Sequence, residues 1–200
     1  MAFASAPLLD ASADMAKAIA AYKAGDFATA VEEFERAAEK GDAQAQNNLG
    51  AMYDKGLGVP RDVDKAARWF RSAAENGHAM AQSNLGIMFA TGRGVPQDQK
   101  QAIVWYRKAA DQGVLLAQFN MGLSYERGDG VEQDFAEAVR WYRIAADGGH
   151  AKAQNNLGLA YENGRGVERD DDEAVMWYRK AASQGLKIAQ SNLARLLVSK

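Results

Sequence analysis

The chain has 200 residues, of which 48% are hydrophobic and 25% charged, and a net charge of -2. That balance belongs to a folded globular chain and excludes a disordered one. With no run of Lys or Arg there is no electrostatic footprint for nucleic acid or an anionic membrane surface. With no cysteine there is neither a disulfide nor a thiolate metal site, and no apolar run reaches membrane-spanning length.

The first ten residues, "MAFASAPLLD", read as an unstructured leader. Ala2-Phe3-Ala4 and Phe3-Ala4-Ser5-Ala6 resemble the small-residue end of a secretory signal peptide, without the charged and apolar stretches that precede one. The expected setting is periplasmic or secreted, with a cytoplasmic chain as the alternative.

From residue 11 onward one sentence repeats. "AQNNLG", "AQSNLG", "AQFNMG", "AQNNLG" and "AQSNLA" recur every 36 residues, as do Trp69, Trp105, Trp141 and Trp177. Internal repetition on this scale marks an array of supersecondary units. In each unit the apolar residues fall at helical spacing twice. Ala45, Leu49, Met52 and Tyr53 define the core stripe of a first helix. Ala66, Phe70, Ala73 and Ala74 define that of a second. The linkers "GLGVPRD", "GRGVPQD", "GDGVEQD" and "GRGVERD" carry the punctuation. Gly56, Gly92, Gly128 and Gly164 suit the left-handed residue that ends a helix, and Asp62, Asp98, Asp134 and Asp170 suit the N-cap of the next. Gln101, Glu137 and Glu173 stand at capping-box distance, and Lys65 at the same distance breaks the pattern once. Gly41, Gly77, Gly113, Gly149 and Gly185 close the second helices. Gly50, Gly86, Gly122 and Gly158 fall inside first helices, where glycine costs about 1 kcal/mol relative to alanine. That recurring cost predicts close helix crossings.

The first unit is shorter: removing five linker residues from the frame aligns Tyr22 with Tyr53, Gly25 with Gly56 and Phe34 with Phe70. The last stretch forms a first helix without a partner. The expected architecture is all-α: five helix-turn-helix units over 11–41, 42–77, 78–113, 114–149 and 150–185, then a capping helix over 186–199, all in one domain from 11 to 200.

The frame A-x-A-Q-x-N-L-G-x-x-Y-x-x-G-x-G-V-x-x-D, continued by A-x-x-W-Y-x-x-A-A-x-x-G, resembles the Sel-1-like repeat, a relative of the tetratricopeptide repeat. The match covers residues 43–194. The resemblance implies a right-handed α-solenoid whose concave face is lined by first helices. It implies an adaptor that holds other proteins, often in bacterial envelopes. Cysteine-rich bacterial members are linked to β-lactam binding, a subgroup the absence of cysteine speaks against. The family shares no catalytic residues.

The residues themselves outline no catalytic constellation. His78 and His150 read as polar turn residues rather than a metal pair. "DDDE" at 170–173 reads as an N-cap with a helix-dipole complement rather than a cation site. The glycine linkers lack the lysine and strand context of a phosphate loop. No cofactor, metal, nucleic acid or membrane insertion is expected, and the chain is expected to be a monomer or weak homodimer.

One copy is more apolar than the rest: "GVLLAQFNMGLSYERGDG". On a helical wheel Leu116, Phe119 and Leu123 lie opposite the core stripe, on the face the resemblance makes concave, with Leu115 at its edge. With Met80, Ile87 and Leu159 they form the expected partner-binding patch. Asn48, Asn84, Asn120, Asn156 and Asn192 either contact a peptide backbone or bond within the solenoid, and their recurrence favours the second role. The expected function is a non-enzymatic scaffold that binds a protein or peptide in its groove. The alternatives are a cell-wall or β-lactam-related hydrolase or binding protein, and a self-assembling homo-oligomer.

Overall fold

The computed structural model describes residues 6–198, with side chains from residue 13. Among the described residues there are eleven helices and no strand. The proposed signal-peptide remnant at residues 2–5 lies outside the described residues, and the rest of the expected leader does not stay irregular, because the first helix begins at Ala6. The helices gather into two compact units, one ending at Asp98 and one beginning at Gln99.

The first unit holds α1 (Ala6–Ala24), α2 (Phe27–Glu39), α3 (Ala43–Lys55), α4 (Val63–Glu75) and α5 (Ala79–Thr91). The second holds α6 (Gln99–Asp111), α7 (Leu115–Arg127), α8 (Phe135–Asp147), α9 (Ala151–Asn163), α10 (Asp171–Ser183) and α11 (Lys187–Val198). Within each unit successive helices pack as antiparallel neighbours, which short connections require.

The linker chemistry behaves as its residues dictate. Gly56, Gly92, Gly128 and Gly164 are left-handed caps, with φ of 70°, 69°, 78° and 62°. The carboxylates of Asp62, Asp134 and Asp170 accept from the first-turn amides of α4, α8 and α10. The capping box does not close. The N-cap amides of Asp134 and Asp170 already donate to the carbonyls of Tyr125 and Tyr161 at 2.9 and 3.0 Å. Glu137 turns instead to Arg140, and Glu173 accepts from the Trp177 indole.

The glycines inside first helices mark close crossings. A Cβ on Gly122 would stand 2.5 Å from the Tyr142 ring, one on Gly158 2.7 Å from Tyr178 and one on Gly50 2.9 Å from Phe70. The glutamine of each AQ pair completes the stacking. Gln46, Gln82, Gln118 and Gln154 are buried, and their amides donate to the carbonyls of Ala38, Ala74, Ala110 and Ala146 at 3.0–3.2 Å. Each thereby adds a second donor to a C-terminal carbonyl of the preceding second helix, which also accepts from the closing glycine amide. The core is the alanine, leucine and aromatic stripe read from the sequence, including Ala45, Leu49, Phe70, Tyr142, Leu157 and Tyr178.

Candidate functional site

The residues of the expected patch separate into three environments. Met80 on α5 and Leu116 on α7 are exposed, at 47% and 37%, and Ile188 holds the same register on α11 at 57%. Ile87, Leu123 and Leu159 are half-buried. Phe119 is 8% exposed and corrects the sequence reading: it is a core residue. Its ring lies 5.9 Å from Tyr142 and 4.7 Å from the His150 imidazole, wedged between α8 and the start of α9. The same register is buried at Ser83 and Asn155. In α5, α7 and α9 this flank is covered, whereas the equivalent Asn47 of α3 is half-buried and Ser191 of α11 is exposed.

Leu115 also has a structural reason. Gln46 and Gln154 each accept a second-helix amide, from Asn76 at 3.2 Å and Gln184 at 2.8 Å. At the corresponding position beside Gln118 the chain has Gly148. Gln118 Oε1 is consequently buried without a hydrogen-bond partner, and Leu115 fills the vacated space, its Cδ2 2.3 Å from where a Gly148 Cβ would stand.

The asparagines act mainly within the array. Asn84 donates to Asn47 Oδ1 at 3.3 Å, and Asn192 to Asn155 Oδ1 at 3.0 Å. Where Phe119 occupies the acceptor position this bond cannot form, and Asn156 instead accepts from Asn155 through its Oδ1 at 3.4 Å. Asn120 is half-buried on α7. Asn48 accepts from Gln44 at 3.0 Å, and its NH2 donates to no group among the described residues.

Each unit contains a recess in the same repeat register. In the second, α7, α8 and α9 enclose about 260 Å³ lined by Leu123, Tyr142, Asn156 and Leu159 and rimmed by Glu126, Arg127 and Arg165. Here Glu126 accepts from the Tyr142 hydroxyl at 2.5 Å and stands 4.0 Å from Arg165. In the first, α1, α2 and α3 enclose about 210 Å³ with Ile19, Tyr22, Phe34, Met52 and Leu57 on the floor and Lys23, Asn48 and Lys55 on the rim. In the second recess the aromatic ring is Tyr142, which lies against the Gly122 crossing, and in the first Phe34 takes the same place in the repeat. Leu123, Leu159 and Asn156 are thus brought together, while Leu116 and Phe119 stand outside. Sequence reasoning missed Tyr22, Lys23, Lys55 and Arg165. The five-residue offset that aligns Tyr22 with Tyr53 carried that information.

Little here resembles reaction chemistry. His78 and His150 are the N-caps of α5 and α9: each Nδ1 accepts from a backbone amide, of Ala81 and Ala153, at 3.2 Å. His78 Nε2 meets Gln44 Oε1 at 3.1 Å, so the proton sits on Nε2. Burial pushes both imidazoles below their ordinary pKa. Burial also lifts the Tyr106 phenol to about 12, and burial followed by a glutamate partner lifts Tyr142 and Tyr178 further. The Arg195 hydrogen bonds hold the Glu162 carboxyl below the usual carboxylate range, and Tyr178 adds to this against the opposing pull of burial. Asp170 of "DDDE" caps α10. Among the described residues no cluster of three His, Cys, Asp or Glu could hold a metal ion, and no helix is long and apolar enough to cross a membrane.

The family model described as Sel1 repeat matches residues 20–42, 43–78, 79–114, 115–150 and 151–186. Among solved structures, the chain is similar to c5321, a protective antigen present in uropathogenic Escherichia coli strains displaying an SLR fold. The identity is 40% and the TM-score 0.89, over 93% of this chain and 41% of that one. A Sel1 repeat protein from Oxalobacter formigenes is 37% identical with a TM-score of 0.79, over 83% and 66% respectively. The DAP3-binding cell death enhancer 1 of Rattus norvegicus is 43% identical over 44 residues, 22% of this chain and 9% of the relative. The chain therefore spans about two fifths of the Escherichia coli antigen and less than a tenth of the rodent protein.

Proposed function

The chain belongs to the Sel1 repeat family, and on that footing we propose that it is a non-enzymatic scaffold that binds a protein or peptide along its first helices. The observation that carries this reading is the register-equivalent recess in each unit, open between first helices over a fixed aromatic ring. Concave, largely apolar recesses with a few polar groups at the rim are where ligands seat. Preformed helices leave most of the ordering cost to the partner. Met80, Ile87, Leu116, Leu123 and Leu159 supply contact surface. Asn48 and Asn156 line the recesses, which supports peptide contact by these two of the recurring asparagines. The likeness to a protective antigen supports a periplasmic or secreted setting, which fractionation of the native cell would test.

The experiment is affinity capture from the native organism with the parent chain and with Leu116→Ser plus Leu159→Ser, a pair chosen for its exposed or half-buried positions. The pair should keep its helical circular dichroism and lose the captured protein. Identical capture by both chains refutes the reading.

A second reading, self-association, is favoured by α11, where Ile188, Leu197 and Val198 are exposed at 57%, 47% and 88%. Light scattering across a concentration series tests it, and a mass fixed at the monomer value rejects it.

A further inference from the structure

The two recesses share a register but differ in charge. In the second unit the rim holds a carboxylate among its cations: Glu126 is held by Tyr142 and lies beside Arg165, with Arg127 on the same rim. In the first unit the floor is apolar, formed by Ile19, Tyr22, Phe34, Met52 and Leu57, and the rim carries the ammonium groups of Lys23 and Lys55 with the Asn48 amide. Three cations of that unit are held in ion pairs: Lys40 with Asp14, Arg36 with Glu33 and Arg93 with Asp54. Lys23 and Lys55 form no ion pair among the described residues. Both are exposed, and no acidic residue lines the recess. In a chain of net charge -2 this is a local inversion of sign.

We propose that the first-unit recess docks an acidic peptide segment that inserts one apolar side chain between Lys23 and Lys55. This rests on the peptide-binding reading above and specifies the ligand's chemistry. Tyr22, itself 40% exposed and edge-on to Phe27 at 5.4 Å, offers a rigid wall for the anchor. Burial of that anchor supplies affinity. The lysines, whose stems lie along the apolar rim while their heads stay in water, select carboxylates flanking it and steer their approach. The Asn48 NH2 supplies a donor for the peptide backbone or a carboxylate oxygen.

The test is fluorescence anisotropy on the full chain with a ten-residue labelled peptide: one leucine between two aspartates in a glycine-serine background. Three control peptides replace the aspartates by asparagine, the aspartates by lysine, or the leucine by alanine. The acidic peptide should bind, each control should bind more weakly, and rising salt should weaken the acidic complex. Lys23→Gln with Lys55→Gln should weaken it on the order of tenfold. That double variant should keep the parent melting temperature, since both side chains are exposed. Equal binding of the asparagine peptide, or no loss in the lysine variant, overturns the proposal. So does a chain dimer that Lys23→Gln disperses, which would make a second copy the occupant. A peptide-display selection separates the two readings. Binders sensitive to Leu159→Ser but indifferent to both lysines leave the groove reading standing without this site, and a selection with no binders removes both.

Discussion

Truncation of Phe119 distinguishes a core residue from a docking residue. The ring is 8% exposed and touches Tyr142 and His150. A buried phenylalanine removes at least about 150 Å² from water, which at about 25 cal/mol per Å² is worth close to 4 kcal/mol. Alanine retains a fraction of that area, while the cavity it leaves adds a cost. The expected loss for Phe119→Ala is therefore about 3 kcal/mol, a fall in Tm of roughly 6–12 °C for a chain of this size. Phe119→Asn should lose less, by about 1 kcal/mol. It fills part of the void and restores an amide acceptor for Asn156, as Asn155 provides for Asn192. Urea titration followed by far-UV circular dichroism reads both variants. A Phe119→Ala chain within 0.5 kcal/mol of the parent would refute the packing assignment and return Phe119 to the groove face.

Gly122→Ala and Gly158→Ala gain helix propensity of about 1 kcal/mol but drive a methyl into the rings of Tyr142 and Tyr178. Overpacking of about 1–3 kcal/mol should win, and a raised Tm in either variant would show that the crossings can open without strain. The imidazoles of His78 and His150 cap only when neutral, and burial holds both below the unfolded value of about 6.5. The unfolded chain therefore takes up protons first. The caps' contribution is complete above about pH 6.5 and declines as pH falls through that value. Asp42 faces His78 and opposes the shift, whereas Lys152 faces His150 and deepens it. His78→Asp plus His150→Asp, which copies the Asp42 cap of α3, should flatten the stability profile between about pH 7 and 5.5; an unchanged slope would exclude the imidazoles as its source. Finally, Gly148→Asn should destabilise because its side chain meets Leu115. Combined with Leu115→Ala it should recover, since the asparagine can then satisfy Gln118 Oε1. Additive losses in that double-mutant cycle would remove the coupling.

Most of the scaffold was legible in the sequence because it depends on local rules. A 3.6-residue stripe specifies a helix and its buried face. A glycine followed some six residues later by aspartate specifies where one helix stops and the next is capped, as at Gly128 and Asp134. The interior glycines announced close crossings, and Tyr142 and Tyr178 are the rings they accommodate. The capping box failed as a prediction because the amide it needs is consumed by Tyr125 or Tyr161, a choice made by the loop's return path.

The chain by itself determined the repeat, the helix boundaries, the core stripe and the absence of thiol chemistry. Tertiary structure decided which of the remaining faces is open. A helical wheel separates core from not-core, but a helix inside an array is also covered along its flank. Phe119 is buried there against Tyr142 and His150, while Leu116, three residues earlier, is exposed. The recesses are likewise products of stacking, since each is bounded by three helices and no single helix pair contains all its walls.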